Sequence, residues 1–366
     1  MNTQPNVNPN KRGLGSSFNT LGYNGTAPKN QAQSGQEVYL MGKGIDLGNI
    51  TAMERRAKRK LLTKTMMMLL LEIAKKDENW KWHARFESTF HCQDEQTTAD
   101  GRSYTDFYCK QRCCLICLAN RKAAIVNRYL PVVEDMPDPH FVTLTVVSVK
   151  KDGLKLRVDD IVKAIRTLIA RYKKRSQRGK GIKFYGIWCL ESNFNPLRRT
   201  YNPHIHLILP SEYAAQTFKG DWIEYWKERG VKIDEDAQHY RKVKRDRKKD
   251  LIEIVKYGSK IFTEPDIAKR MKAKLPRKPS FLYVRALYNI LLAMDGHDVF
   301  NTFGFPTPKQ EKPGKMVKKV TDAIDWNYDL AADDWINEEL GLRLAKYKIP
   351  DDLEALLTSR VNTDFE

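Results

Sequence analysis

The sequence lacks any long hydrophobic run. Its longest strongly apolar stretch, Met66 to Leu71, has six residues and leads directly into Glu72, whereas a helix that spans a bilayer needs about 20 apolar residues. The N-terminal segment lacks the apolar core of a signal peptide and is rich in Asn, Gly, Ser and Gln. The sequence therefore predicts no transmembrane helix, no membrane partner, a cytoplasmic location and a disordered tail at residues 1–50.

Acidic residues are in the minority except near the C-terminus. The 366-residue chain has a net charge of +19 and a pI near 9.5, but residues 321–366 contain twelve acidic and four basic side chains. A basic chain favours a polyanionic partner such as nucleic acid, although ribosomal and membrane-surface proteins share this composition. We interpret the basic body as the binding part and the acidic tail as a segment that contacts a partner or shields the body.

Cysteine is also scarce, but four of the six cysteines lie between Cys109 and Cys117. In a reducing compartment, such crowding favours metal binding over disulfides. Cys114 and Cys117 have zinc-knuckle spacing, and Cys109 with either Cys92 or His91 would complete four ligands. The alternative is that these cysteines are free, partly buried thiols.

The hydrophobic pattern predicts an α+β domain without internal repeats. Helical periodicity and composition predict helices at residues 51–76, 118–130, 158–175, 212–229 and 281–294, with another after residue 249. Alternating apolar residues predict strands at 140–149, 182–192 and 201–210, the last two joined by a polar hairpin loop. This order implies a central, largely antiparallel sheet with flanking helices and helical extensions.

Two histidines, His204 and His206, lie two residues apart in the strand-like run YNPHIHLILP. Side chains at i and i+2 of a strand point to the same face, so the two imidazoles project together. Such a pair can bind one metal ion. The alternative is a pair of core histidines with satisfied hydrogen bonds.

The predicted helix DLIEIVKYGSK places two pairs of residues at helical spacing. Glu253 and Tyr257 share one face, and Lys256 and Lys260 form a second pair beside it. A tyrosine can attack phosphorus when a metal polarises the scissile phosphate and cations neutralise it, and a carboxylate one turn away can activate a second nucleophile. The alternative is an ordinary salt-bridged amphipathic helix.

The run RKVKRDRKK, residues 241–249, precedes this helix and contains seven basic residues and one acid. Such a run would contact the DNA backbone with little sequence discrimination. The alternative is a solvated linker.

Taken in order, these segments resemble the plasmid rolling-circle replication initiators of the HUH endonuclease superfamily, in the subgroup with one tyrosine and a nearby glutamate. FVTLTV, NPHIHLIL and EIVKYGSK are similar to that family's first, second and third motifs. Its cysteine element is matched by Cys109, Arg112, Cys114 and Cys117. Leu115 stands where the family usually has proline, and Cys113 is an additional cysteine. The resemblance covers about residues 90–262.

The resemblance implies two metal sites. His204, His206 and Glu191, which ends the preceding predicted strand, would hold Mg²⁺ or Mn²⁺. A structural Zn²⁺ would be held by Cys92, Cys109, Cys114 and Cys117.

The resemblance also implies a reaction. Tyr257 would attack the scissile phosphate of plasmid origin DNA, which is single-stranded or extruded at the nick site, and leave a 5′-phosphotyrosyl link and a 3′-hydroxyl that primes synthesis. Glu253 would later activate water to end replication, while Lys256 and Lys260 would hold the phosphate. A host helicase and a DNA polymerase are the implied partners.

On this interpretation the chain divides into consecutive regions. A helical, cysteine-rich region at 51–130 precedes the nicking domain at 131–262, a helical extension at 263–305, and a linker with the acidic tail at 306–366. Two alternatives remain open at this point: an HUH relaxase or transposase for DNA mobilisation, and a noncatalytic zinc-containing DNA-binding protein.

Overall fold

The computed structural model of the protein describes residues 37–41, 44–105, 107–196, 198–244, 246–254, 282–309 and 317–351. The helices in these ranges are α1 (Ile50–Lys76), α2 (Trp80–Phe90), α3 (Leu115–Glu134), α4 (Lys151–Gln177), α5 (Glu212–Lys227), α6 (Arg247–Ile254) and α7 (Leu282–Ala293). None of the described helices has both the length and the apolar character needed to cross a membrane.

The strands form three sheets in which every pair is antiparallel. They are β1 (Val38–Met41), β2 (Ile45–Asp46), β3 (Glu95–Ala99), β4 (Arg102–Tyr104), β5 (His140–Thr145), β6 (Gly186–Asn195), β7 (Thr200–Leu209), β8 (His239–Lys242), β9 (Phe300–Phe303), β10 (Val317–Val320), β11 (Ile324–Asp329), β12 (Asp334–Asn337) and β13 (Leu342–Arg343).

The central sheet has the order β8-β5-β7-β6-β9 and is covered by helices on both faces. Because successive side chains of a strand point to opposite faces, Leu144 and Leu207 lie on one face of the sheet, where they pack against α4, α5 and α7. The opposite face carries Ile187 and Ile208, which pack against α3 and α6. The prediction of an α+β fold with a largely antiparallel sheet and flanking helices is confirmed.

A second sheet, ordered β13-β12-β11-β3-β4-β2, combines distant parts of the chain. β11 lies between β12 and β3, with Ile324 opposite Thr98. The structure thus places strands within both residues 1–50 and residues 306–366, where the sequence predicts a disordered tail and a linker with an acidic tail. The C-terminal segment is rich in acidic residues, but it also contains a short pattern of alternating apolar and polar residues. Trp326 and Trp335 are the buried apolar residues of this pattern.

Buried cations on α1 attach this helix to the second sheet. The ammonium of Lys60 is fully buried, lies 2.6 Å from a carboxylate oxygen of Asp94, and sits over the ring of Tyr328. Lys64 approaches the same carboxylate oxygen at 3.0 Å. The pairing compensates part of the cost of burying these charges. The basic half of α1 is therefore partly structural.

Candidate metal centres

The register between β6 and β7 assembles a group of three metal-ligating side chains. Glu191 lies directly opposite His204, and His206 follows two residues later on the same face. One carboxylate oxygen of Glu191 is 3.5 Å from the Nε2 atom of each histidine. The three ligand atoms all lie within 4.8 Å of one another. The structure therefore brings together the three residues that the resemblance implied.

The other ring nitrogens of the two histidines are held by hydrogen bonds. His204 Nδ1 donates to the Asn202 carbonyl oxygen at 2.9 Å, which orients the ring with Nε2 toward Glu191. The Nδ1 atom of His206 lies 3.0 Å from the hydroxyl oxygen of Thr143. Metal-ligating histidines are commonly oriented in this way. The arrangement presents both Nε2 atoms toward Glu191.

Thr143 is the member of this site that sequence reasoning missed. It lies on β5 directly opposite His206. Its position was visible as a polar residue alternating with Val142 and Leu144 in a predicted strand. The pairing partner of β5 could not be identified from that pattern.

The site is largely shielded from solvent. The side chains of Glu191 and His204 are 7% and 6% exposed, and that of His206 is 15% exposed. Burial alone would raise the pKa of Glu191, but hydrogen bonds with both histidines, and their charges, lower it below its ordinary value. A buried carboxylate beside two imidazoles is a donor set that fits a divalent cation.

Helix α6 packs on the face of the sheet that carries this site. Leu251 belongs to the same buried cluster as Cys189, which lies directly opposite His206. Glu253 lies in the last turn of α6. Tyr257, Lys256 and Lys260 lie outside the described residues, so their predicted roles stay predictions.

The beginning of α6 is anchored by two arginines from the basic run 241–249. Arg241 contacts both carboxylate oxygens of Asp250, at 2.5 and 3.1 Å. Arg247 donates to the carbonyl oxygens of Val133 and Met136 at 2.8 and 3.0 Å. These two side chains therefore position α6, and DNA contact by the rest of the run stays a prediction.

A second group consists of four buried cysteines. Cys92 follows α2, Cys109 precedes α3, and Cys114 and Cys117 lie at the start of α3. The Sγ atom of Cys117 lies 3.6 Å from that of Cys92 and 3.7 Å from that of Cys109. Four thiolates bound tetrahedrally at about 2.3 Å would lie about 3.8 Å apart. The spacing of the sulfurs fits a tetrahedral metal.

Backbone amides surround these sulfurs. The Cys117 sulfur accepts from the Lys110 amide at 3.3 Å, and the Cys92 sulfur accepts from the Cys109 amide at 3.4 Å. Hydrogen bonds with the neighbouring thiols, first that of Cys109, lower the pKa of Cys114. Such donors stabilise negative charge on sulfur, as a metal thiolate site requires.

Two residues adjacent in sequence to these cysteines, His91 and Cys113, have other partners. His91, the alternative ligand, instead pairs with Asp94 at 2.8 Å. Cys113 packs into a hydrophobic cluster with residues of α1, α2 and α7, and burial raises the pKa of its thiol to about 12. Cys92 is therefore the fourth sulfur of the group, and Cys113 is a core residue.

Three other aromatic residues of the central sheet, Tyr201, Trp188 and Tyr240, contact its hydrophobic core. Tyr201 is 1% exposed, and its hydroxyl accepts a hydrogen bond from Asn289 at 2.8 Å. Trp188 belongs to the same buried cluster, and Tyr240 packs against it. Tyr201 and Trp188 are therefore buried core residues, whereas the hydroxyl of Tyr240 bonds Gln216 at the surface.

Comparison with known sequences places these groups in context. The model of a family described as "Replication protein" matches residues 101–329. A Staphylococcus aureus protein named "Protein rep" is 27% identical over 178 residues, which are 45% of this chain and 75% of the relative.

Two further relatives with the same name come from Bacillus amyloliquefaciens and a Bacillus species. Each is 29% identical over 140 residues, or 36% of this chain. The matched parts cover 40% and 44% of these relatives, so the chain spans less than half of their length. No solved structure matches.

Proposed function

The chain belongs to the replication protein family, and from this premise we propose that it initiates plasmid replication by nicking the double-strand origin in the manner of a single-tyrosine HUH endonuclease. The observation that carries the proposal is the group formed by Glu191, His204 and His206 on the sheet face against which α6 packs. Tyr257 follows the last residue of α6, Ile254, by three positions.

Glu191, His204 and His206 would hold the divalent ion, for which we propose Mg²⁺ or Mn²⁺. When bound, this ion supplies Lewis-acid polarisation of the scissile phosphate. The protein contributes a buried carboxylate and two imidazoles whose Nδ1 atoms are already engaged. This preorganisation reduces the reorganisation needed to form the site.

Tyr257 is the proposed nucleophile. Its phenolic oxygen loses its proton to solvent and attacks the phosphorus, the bond from phosphorus to the 3′-oxygen breaks, and the 3′-oxygen takes up a proton from solvent and leaves as a hydroxyl. The DNA then carries a 5′-phosphotyrosyl link, and the free 3′-hydroxyl primes leading-strand synthesis. Lys256 and Lys260 are the proposed counterions of the phosphate.

Glu253 is the proposed base for the closing step. After one round of synthesis it would take a proton from water, which then cuts the regenerated origin without a second tyrosine. Glu253 lies in the last turn of α6 and precedes Tyr257 by four positions in the sequence.

For Cys92, Cys109, Cys114 and Cys117 we propose a structural Zn²⁺. Four sulfur ligands and no remaining position for substrate are typical of structural rather than catalytic zinc. The ion would join the end of α2 to the start of α3.

Origin DNA, single-stranded or extruded at the nick site, is the proposed substrate. A host helicase and a DNA polymerase would then use the exposed strand and the 3′-hydroxyl.

The deciding experiment incubates the protein with supercoiled DNA carrying its own gene region, with Mg²⁺, Mn²⁺ or no divalent ion. We expect nicked circles with covalently attached protein only in the presence of the ion. Tyr257→Phe should form no adduct, and Tyr240→Phe should form as much as wild type because the Tyr240 hydroxyl bonds Gln216 at the surface.

DNA binding without any adduct, on this DNA and on single-stranded fragments of it, would instead identify a noncatalytic DNA-binding protein. An adduct confined to a transfer origin or a transposon end would identify a relaxase or transposase.

A further inference from the structure

A cavity of about 270 Å³ lies between α1, β2 and the cysteine region, among residues that are not part of the cleavage site. Its lining includes three arginines of α1 and three polar side chains: Arg55, Arg56, Arg59, Gln93, Tyr108 and Asn120. Pockets for drug-sized molecules measure about 300–1,000 Å³. The smaller volume suits a phosphate group with part of its attached sugar.

The three arginines have no carboxylate partner within 4.0 Å in the part of the chain that the structure describes. Arg55 donates its Nε–H to the Thr51 carbonyl in its own helix. Burial and then the neighbouring charge of Arg55 lower the pKa of Arg59, which indicates that the two cations repel each other. Among the described residues, no carboxylate pairs with this concentration of positive charge.

Arg56 adds a buried cation to the same wall. Arg56 is 3% exposed, and its Nε–H donates to the Gln93 side chain at 2.9 Å. One terminal nitrogen of its guanidinium has no hydrogen-bond partner among the described residues. Leaving a buried charged group incompletely paired is costly. Such a cost is recovered when an anion binds beside it.

We propose that this cavity binds a backbone phosphate of duplex DNA through Arg55 and Arg59, with Arg56 as a buried positive charge behind them. Guanidinium groups pair with phosphate oxygens through two parallel N–H donors, and phosphate contacts fix the register of a protein on DNA. The site would hold the duplex flanking the cleaved strand. The assignment to DNA rests on the proposed function, whereas the preference for phosphate rests on the charges alone.

The test measures binding of a labelled 30-base-pair duplex from the protein's own gene region at several salt concentrations, without divalent ions. We expect Arg55→Gln/Arg59→Gln to weaken binding about tenfold. The slope of log affinity against log salt should fall in magnitude by about 0.9, as for the loss of one phosphate contact.

Arg166→Gln/Lys173→Gln is the matched control, because it removes the same charge from α4 at two exposed positions. It should change affinity less than twofold. Arg55→Lys/Arg59→Lys should retain the salt slope while losing part of the affinity, because the charge remains and the paired donors do not. Equal losses in the two glutamine pairs, or an unchanged slope, would overturn the proposal.

A second arm separates DNA from a small phosphate. If inorganic phosphate raises the melting temperature of wild type but not of Arg55→Gln/Arg59→Gln, and both proteins bind duplex equally, the cavity takes a small phosphate and the assignment to DNA fails. If phosphate has no such effect and duplex binding falls as expected, the assignment stands.

Adduct formation on a short single-stranded DNA tests the proposed cleavage site independently of duplex binding by the cavity. Loss of duplex binding in the variant, with no adduct from any protein, supports the cavity and removes the nicking mechanism. Normal adduct formation with unchanged duplex binding removes the cavity and supports the nicking mechanism.

Discussion

The two candidate metal-binding groups are built differently, although each comes from residues that are close in space and largely buried. The four cysteines have one ligand type and backbone amides around their sulfurs. The histidine group has three ligands of two types, and His206 is the most exposed of them. Structural metal sites are closed, whereas catalytic sites keep a position open. The difference supports the proposal of a structural role for the cysteines and a catalytic role for the histidines.

The largest expected effect is that of His206→Ala, which should lower the rate of adduct formation much more than it lowers stability. We expect His206→Ala to reduce the rate of adduct formation about 10³-fold or more, because it removes a proposed ligand of the ion that would polarise the phosphate. The free energy of unfolding should fall by at most about 2 kcal/mol. Adduct assays and urea unfolding check the two values, and unfolding of the protein at room temperature would contradict the assignment.

The complementary substitution is Cys114→Ser. It should release the proposed zinc and reduce the free energy of unfolding by about 4 kcal/mol or more, because metal binding contributes directly to folding. Zinc content and thermal unfolding provide the measurements.

Cys113→Ala is the matched control next in the chain, because Cys113 packs in the hydrophobic cluster and not with the other sulfurs. It should retain one zinc per chain. Equal zinc loss from both variants would contradict the assignment of the four ligands.

A smaller effect is expected from Thr143→Val, which keeps the shape of the side chain and removes the hydroxyl beside His206. Loss of such an orienting group typically costs about 10–100-fold in metal affinity or activity. The Mn²⁺ concentration needed for half-maximal adduct formation should rise accordingly. Thr145→Val, whose hydroxyl bonds the Asn202 side chain instead, should shift it less than threefold.

The smallest effect concerns the attachment of α6. Burial would raise the pKa of Asp250, but hydrogen bonds from Arg241 and the Lys244 amide lower it. Asp250→Asn should cost about 2 kcal/mol at pH 7, with zinc content unchanged.

Because the folded-state pKa of Asp250 lies below its unfolded value, this stabilisation is present above about pH 4 and is lost as the pH falls through the folded-state pKa. Unfolding curves of both proteins should therefore converge in acid. A constant difference between pH 7 and pH 3 would show that the charge of Asp250 is not responsible.

Local patterns predicted the parts of these sites that lie within one element. Strand periodicity put His204 and His206 on one face, and the spacing of Cys114 and Cys117 identified half of the sulfur group. Glu191 was found only through the family resemblance, because its position depends on the register of the hairpin between β6 and β7.

The local sequence pattern also could not decide whether Cys92 or His91 joins the other three cysteines. It depends on where α2 ends and on the ion pair that His91 forms with Asp94. The arginine cavity was missed for the same physical reason, since its walls come from segments up to 75 positions apart. Contacts between distant elements are not encoded in any single window of the sequence.

The position of β11 between β12 and β3 has a consequence for synthesis on the ribosome. Thr98 and Ile324 are 226 residues apart, which at about 5–20 residues per second is a delay of about 10–45 s. Throughout that time one edge of β3 lacks its partner, and such edges promote association between chains. We expect a chain truncated after residue 316 to sediment as aggregates under conditions in which the full chain stays in the supernatant.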